Sequence, residues 1–192
     1  MNKIYLFRHG KTFANLEKLY CGWSESKLAD NCKIDFPEVD VVLSSPLKRC
    51  THYLEQINSS EKILTPLLKE INFGIFENKS FDEIEKLIPE KAKQFLSDYK
   101  NFTFPDGESL LTFHKRIKGF IKNILYDYIK NGKNILIISH EGVIKSILLS
   151  FLKLKLKSFW DIKIENNKFT IFDYFNDELA THFTLRGLNK EK

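Results

Sequence analysis

An arginine and a histidine stand side by side at Arg8 and His9, directly after a mostly apolar run, 3–7, that reads as a short buried strand. Arg8 offers a planar fork that fits a phosphate bidentately. His9 offers a ring nitrogen that is partly neutral at pH 7 and can attack phosphorus. Gly10 lets the backbone turn or approach a ligand closely. Thr12 is placed to cap a following helix, whose free N–H groups would face an anion. Only four of the 30 basic residues are arginines: Arg8, Arg49, Arg116 and Arg186. Lysine serves wherever a solvated charge suffices, so the arginines are candidates for positions that need the guanidinium geometry. For Arg186, in the tail, an ordinary ion pair is the simpler expectation.

Positioning these groups requires strands that end together. A second buried strand is predicted over 39–44, and Ser45-Pro46 then starts a helix reaching about residue 57, with Arg49 inside its first turn. Residues 67–76 read as irregular and hold Glu70 and Gly74. A capping box at 80–83 opens a short helix that ends before Pro89, and 90–99 forms another. Apolar spacing from 108 predicts one long amphipathic helix ended by Asn131-Gly132. A third buried strand over 134–139 runs into His140-Glu141-Gly142, followed by a helix over 143–152. Residues 169–175 and 181–185 alternate like antiparallel or edge strands.

The repeated strand–turn–helix order predicts an α/β fold, a three-layer α/β/α sandwich around a mostly parallel central sheet. Arg8 with His9, Arg49 and His140 follow three different strands. Parallel neighbours would gather them at one carboxyl edge, where open α/β sheets bind ligands. Two histidines, two arginines and the acid Glu70 fit phosphoryl transfer better than a metal site, which would want carboxylates without adjacent arginines.

At 192 residues, with 43% hydrophobic and 29% charged residues, the chain is expected to form a single domain over 1–192. It shows no signal-peptide pattern and no apolar run of the roughly 20 residues that span a membrane. Cys21, Cys32 and Cys50 lack metal-ligand spacing, so free thiols in a reducing cytoplasm are expected. A net charge of +5 without an arginine-rich block or nucleic-acid motif implies only a weak general attraction to anions.

These stretches occur in order over residues 3–150: LFRHGKT, LSSPLKRC, LLKEINFGIFE, and PDGES followed later by IISHEGVIKSIL. With them the chain resembles the histidine phosphatase superfamily, also called the phosphoglycerate mutase-like family. The resemblance implies that family's fold, with His9 as the nucleophile that forms a phosphohistidine. It implies that Arg8, Arg49 and a protonated His140 surround the phosphoryl oxygens and that Asn15 adds a hydrogen bond. Glu70 would protonate the leaving oxygen and later activate water. The backbone N–H of Glu141 would face the phosphate, and Gly10, Cys21 and Gly22 would complete the phosphate- and substrate-binding set. The loop 20–28 is similar to one found in mutases and in α-ribazole phosphatases.

Three positions depart from the family pattern. Lys11 stands where an acid or amide is commoner, and Glu77-Asn78 lacks a usual glycine. Glu141 replaces a frequent Gly or Ala, and its carboxylate would repel substrate unless it points outward. His52, His114 and His182 are expected to be bystanders. The short span from Glu70 to Pro105 favours a phosphatase, with a phosphoglycerate mutase or a catalytically silent phosphate-binding module as alternatives. The implied partner is a small phosphorylated metabolite, with no metal, cofactor, nucleic acid or membrane, and a homodimer is left open.

Overall fold

The computed structural model describes residues 1–30 and 32–191; the single-domain span expected over 1–192 also takes in residues 31 and 192, which lie outside the described residues. Six strands form one sheet: β1 (Asn2–Arg8), β2 (Val41–Ser44), β3 (Glu61–Leu64), β4 (Ile135–Ser139), β5 (Phe169–Asn176) and β6 (Thr181–Lys190). Their order is β3-β2-β4-β1-β5-β6. The β3-β2, β2-β4 and β4-β1 pairs are parallel, and β5 and β6 add on antiparallel. The sheet is therefore mostly parallel, as the strand–turn–helix order predicts.

The central strands read as unbroken apolar runs because both of their faces are covered. Ile4, Leu6, Val41, Leu43, Ile135 and Ile137 point into the larger core. That core lies beneath α5 (Leu110–Phe120), α6 (Tyr126–Lys130) and α7 (Glu141–Phe151). Phe7, Val42, Leu136 and Ile138 point the other way, onto Cys50, Tyr53 and Ile57. The register aligns Arg8 with Ser139 and Ser44 with Ile138. The residues that follow β1, β2 and β4 consequently emerge together at one carboxyl edge. No helix of the described residues is long and apolar enough to cross a membrane.

Several elements differ from their predicted form. The helix expected from Ser45 shrinks to α2 (Lys48–Thr51), capped by Leu47 without a side-chain bond, and a short 3-10 turn follows at Leu54–Gln56. Ser45 is fully buried, and its hydroxyl serves a histidine instead of a clean helix start. Strand β3 has no counterpart in the sequence reading. It is an edge strand whose Glu61 and Lys62 are exposed, and charged edges blunt strand-to-strand association while hiding the apolar signal. The long helix of 108–131 is real but divided: a π-helical turn at Ile121–Leu125 separates α5 from α6. Ser80 and Glu83 form the predicted capping box of α3 (Phe81–Leu87), and Pro89 opens α4 (Pro89–Ser97).

Candidate active site

The site is built from chain reversals at the carboxyl edge. After β1, the His9 N–H bonds the Ser139 carbonyl at 3.1 Å, and the Ser45 N–H bonds the Ile138 carbonyl at 3.0 Å. These bonds tie the three exits to each other, so His9 and His140 lie ring to ring with centroids 5.0 Å apart. Both are almost fully buried. Thr12 caps α1 (Phe13–Leu16) in a reciprocal box with Asn15, whose Oδ1 accepts the Thr12 N–H at 3.1 Å.

His9 is held in one tautomer. Its Nδ1 lies 2.7 Å from the Gly10 carbonyl, an acceptor only, so Nδ1 carries the proton and Nε2 keeps its lone pair. Burial, then the neighbouring Arg49 charge, holds the His9 pKa well below the usual imidazole range, against the opposing pull of the Gly10 carbonyl. A neutral ring with a free Nε2 is the form that can attack phosphorus. Gly10, expected among the phosphate ligands, instead donates its N–H to Tyr53 Oη at 2.9 Å and acts through His9. A Cβ at Gly10 would meet that hydroxyl at 2.7 Å, which explains the glycine.

Arg49 is 2% exposed and serves as a hub. Its Nη1 donates to the Ser24 carbonyl at 2.8 Å and its Nη2 to the Gly22 carbonyl at 2.6 Å, with Cys21 O at 3.4 Å. Its Nε donates to His140 Nδ1 at 3.3 Å. The Nε2 of His140 must then carry the proton, which it gives to Ser45 Oγ at 2.9 Å. The protonated His140 of the sequence reading is thus replaced by a neutral one. Burial, followed by the Arg49 and His9 charges, lowers its pKa well below the usual range. Cys21 and Gly22 contribute carbonyls to Arg49, and the Gly22 N–H is taken by the Glu77 carboxylate at 3.0 Å. Cys50, 3.7 Å from His140 Nε2, is a buried thiol pushed up to about 12 by desolvation.

Arg8 and Glu141 meet in an ion pair of 2.7 Å, and Arg8 Nη1 also reaches the Ile164 carbonyl. The Arg8 Nε is buried without a hydrogen-bond partner among the described residues. Glu141 does not turn outward. Its other oxygen sits 2.6 Å from Lys145 Nζ, so two cations neutralise the carboxylate that sequence reasoning expected to repel substrate.

The Glu70 carboxylate accepts N–H bonds from Ile71 at 2.9 Å and from Gly142 at 3.0 Å. The residue is partly buried, which desolvates its carboxylate. That desolvation raises its pKa; the two N–H bonds oppose the rise and the Glu141 charge adds to it. Gly142 is needed here, since a Cβ would come within 2.4 Å of Glu70 Oε1. A cleft of about 290 Å³ brings Arg8, Asn15, Cys21, Glu70 and Glu141 together with Lys18 and Tyr20.

Three residues named in the sequence without a role support the site. Glu77 accepts N–H bonds from Gly22, Trp23, Ser24 and Phe73, and so shapes the 21–24 loop. Asn78 takes φ +60°, which an asparagine tolerates where the family has glycine. Arg116 pairs with Glu108 through two bonds of 2.8 and 2.7 Å, and donates to the carbonyls of Leu67, Lys69 and Glu70. This clamp fixes the segment that carries Glu70. The scarcity of arginine was the available signal for Arg116, whereas Arg186 makes the expected ion pair, with Asp173. His182 pairs with Asp177 and His114 with Ser146, away from the cleft.

Arg49→Lys tests the hub. A lysine ammonium cannot reach His140 and the loop carbonyls together. Loss of charge-assisted bonds worth about 1.5–3 kcal/mol is expected to lower kcat/KM on the order of 10–100-fold. A variant within about twofold of wild type would place Arg49 outside the working site.

A family model described as histidine phosphatase superfamily (branch 1) matches residues 4–184. The chain is 26% identical to the adenosylcobalamin/alpha-ribazole phosphatase of Escherichia coli strain K12, over 97% of this chain and 95% of that protein. It is 26% identical to the putative phosphoserine phosphatase 2 of Hydrogenobacter thermophilus, over 86% of each. The crystal structure of the alpha-ribazole phosphatase from Shigella flexneri superposes with a TM-score of 0.85 at 26% identity, covering 98% of this chain and 96% of that one.

Proposed function

The chain belongs to the histidine phosphatase superfamily, branch 1, and is a phosphatase of that family; we propose that it hydrolyses small phosphate monoesters with His9 as the residue that carries the phosphoryl group. The observation that supports this most is the fixed tautomer of His9, with Nδ1–H on the Gly10 carbonyl and Nε2 unprotonated. In the first step His9 Nε2 bonds to phosphorus, the P–O bond to the alcohol breaks, and Glu70 gives its proton to the departing oxygen. In the second, water attacks the phosphohistidine, Glu70 takes the water proton, and the P–N bond breaks to release inorganic phosphate. Two smaller barriers replace one very high one.

Arg8, with its unpartnered Nε, and Asn15 at the mouth of α1 supply donors to the phosphoryl oxygens. Charge on those oxygens persists through the transition state, so preplaced donors do much of the work. Arg49 and His140 hold the frame in which His9 sits. The short stretch between Glu70 and Pro105, occupied by α3 and α4, favours transfer to water over the return of a phosphoryl group to a second alcohol. The free thiols of Cys21, Cys32 and Cys50 suit work in a reducing cytoplasm.

Phosphate release from p-nitrophenyl phosphate in the presence of excess EDTA is the direct test, and turnover undiminished by the chelator is expected. Activity lost with EDTA and restored by magnesium or zinc would overturn the metal-independent scheme. No release from any monoester would leave a silent phosphate-binding module.

A further inference from the structure

Each backbone N–H and C=O from Arg8 to Gly10 has a partner. The Arg8 N–H donates to the Lys168 carbonyl at 3.2 Å, and the Arg8 carbonyl accepts the Asn167 N–H at 3.1 Å. The His9 N–H goes to the Ser139 carbonyl, and the His9 carbonyl accepts from Asn166 Nδ2 at 3.0 Å. The Gly10 carbonyl holds the His9 ring through Nδ1. The Gly10 N–H goes to the hydroxyl of Tyr53, a residue from a separate part of the chain. A tyrosine oxygen that accepts one proton still has its own to give, and Tyr53 gives it to Asn167 Oδ1 at 3.1 Å. Burial pushes the Tyr53 hydroxyl up to about 12, so it keeps that proton at neutral pH.

Both partners of Gly10 are fixed from behind. Tyr53 is 1% exposed, and its ring packs edge to face on Phe7 at 5.1 Å and on Phe36 at 5.8 Å, so the hydroxyl cannot swing away. Asn167 takes φ +56°, a left-handed turn that asparagine tolerates, and this turn aims its N–H at Arg8 and its side chain at Tyr53. Neither residue lines the phosphate cleft. Gly10 itself has the widest backbone freedom of any residue type. Left unheld, its peptide could turn and take the carbonyl off the His9 ring.

We infer that Tyr53 and Asn167 are positioning residues for the phosphoryl transfer: together they fix Gly10, whose carbonyl keeps the His9 proton on Nδ1 and leaves Nε2 bare for attack. The inference rests on the phosphatase reading for its effect on turnover, but the tautomer can be read without any reaction. Removing the hydroxyl leaves the Gly10 N–H buried and unpaired, a penalty that turning the peptide relieves. The turned carbonyl no longer accepts from Nδ1. The proton then spreads over both ring nitrogens, and the ring loses its aim as well as part of its attacking form.

Tyr53→Phe keeps the ring packing and removes only the hydroxyl. In single-turnover release of nitrophenol from p-nitrophenyl phosphate, its limiting rate is expected to fall at least about tenfold, with the half-saturating concentration within about twofold of wild type. Asn167→Gly keeps the left-handed backbone but loses the acceptor, and should slow the same step. Asn167→Asp keeps both backbone and acceptor, and should recover most of that loss. Nitrogen-15 NMR of the His9 ring, identified by its absence from His9→Ala, should show Nδ1 protonated in the wild type and a mixture of tautomers in Tyr53→Phe. An unchanged tautomer in Tyr53→Phe would overturn the inference whatever the rate. So would a change confined to the half-saturating concentration, which would place the effect on phosphate binding, or equal losses in the glycine and aspartate variants, which would make the Asn167 acceptor idle. A lost tautomer in Tyr53→Phe with no turnover even in the wild type would keep the positioning assignment and sink the phosphatase reading.

Discussion

His9→Ala is expected to abolish turnover while phosphate still binds weakly through Arg8. No other ring is placed to replace it: His140, 5.0 Å away between centroids, has Nδ1 accepting from Arg49 and Nε2 donating to Ser45, so neither nitrogen is available to phosphorus. Removing the nucleophile of a covalent mechanism typically costs on the order of 10⁴–10⁶ in kcat. Rapid acid or base quenching of the wild-type enzyme during turnover should distinguish the linkage, because a phosphohistidine is acid-labile and base-stable. Two results would end the assignment: full activity in the alanine variant, or a trapped phosphoprotein with the opposite stability. The wild-type pH profile carries the same signature. His9 attacks only when unprotonated, and its pKa is lowered by burial and by Arg49. Activity should therefore rise with pH on a limb lying below the range of an ordinary histidine. Moving the limb up to the ordinary value would mean that the titrating histidine is a different, solvated one.

Glu70→Gln carries the second large effect, and it depends on the leaving group. A general acid contributes about 10²–10⁴-fold where the departing oxygen needs a proton. An alkoxide needs one; a nitrophenolate leaves without it. The glutamine variant should therefore slow an alkyl phosphate far more than p-nitrophenyl phosphate. Single-turnover formation of the phosphoenzyme is the step to measure, since Glu70 also serves the later water attack. The raised pKa of Glu70, caused first by desolvation, keeps a larger protonated fraction near neutral pH than a solvated glutamate would have. With the alkyl ester, the wild-type rate of that first step should fall as pH climbs through this raised value, and the glutamine variant should lack that limb. Equal slowing of both esters would make Glu70 a positioning residue and send the search for the acid elsewhere.

Much of this arrangement was written locally in the chain. The strands β1, β2 and β4 are buried on both faces, so each leaves a short apolar run that needs no partner to be seen. What ends each run is equally local: Arg8-His9, Ser45-Pro46 and His140-Glu141 interrupt hydrophobic residues at the point where a sheet edge must lie. Thr12 caps α1 and the capping box at Ser80 forms as read, both from patterns a few residues long; the reciprocal bond from Asn15 to Thr12 was not foreseen. The ordered motif blocks carried the family with them.

The tertiary structure decided what each side chain touches. Arg49 finds His140 across 91 residues and the 21–24 carbonyls across some 25, and nothing near Arg49 in sequence announces either partner. The same distance hid the neutrality of His140, which follows from Arg49 donating to one ring nitrogen. Glu141 looked misplaced because the chain gives no sign that Arg8 and Lys145 flank it. Nothing near Glu77 in sequence announces that the N–H groups of Gly22, Trp23 and Ser24 converge on its carboxylate. Strand β3 went unseen because an edge strand shows water one face and carries charge to avoid pairing. Periodicity records how much of a segment is buried, which is a property of the segment. The identity of a hydrogen-bond partner is a property of two segments, and only the closed sheet brings those together.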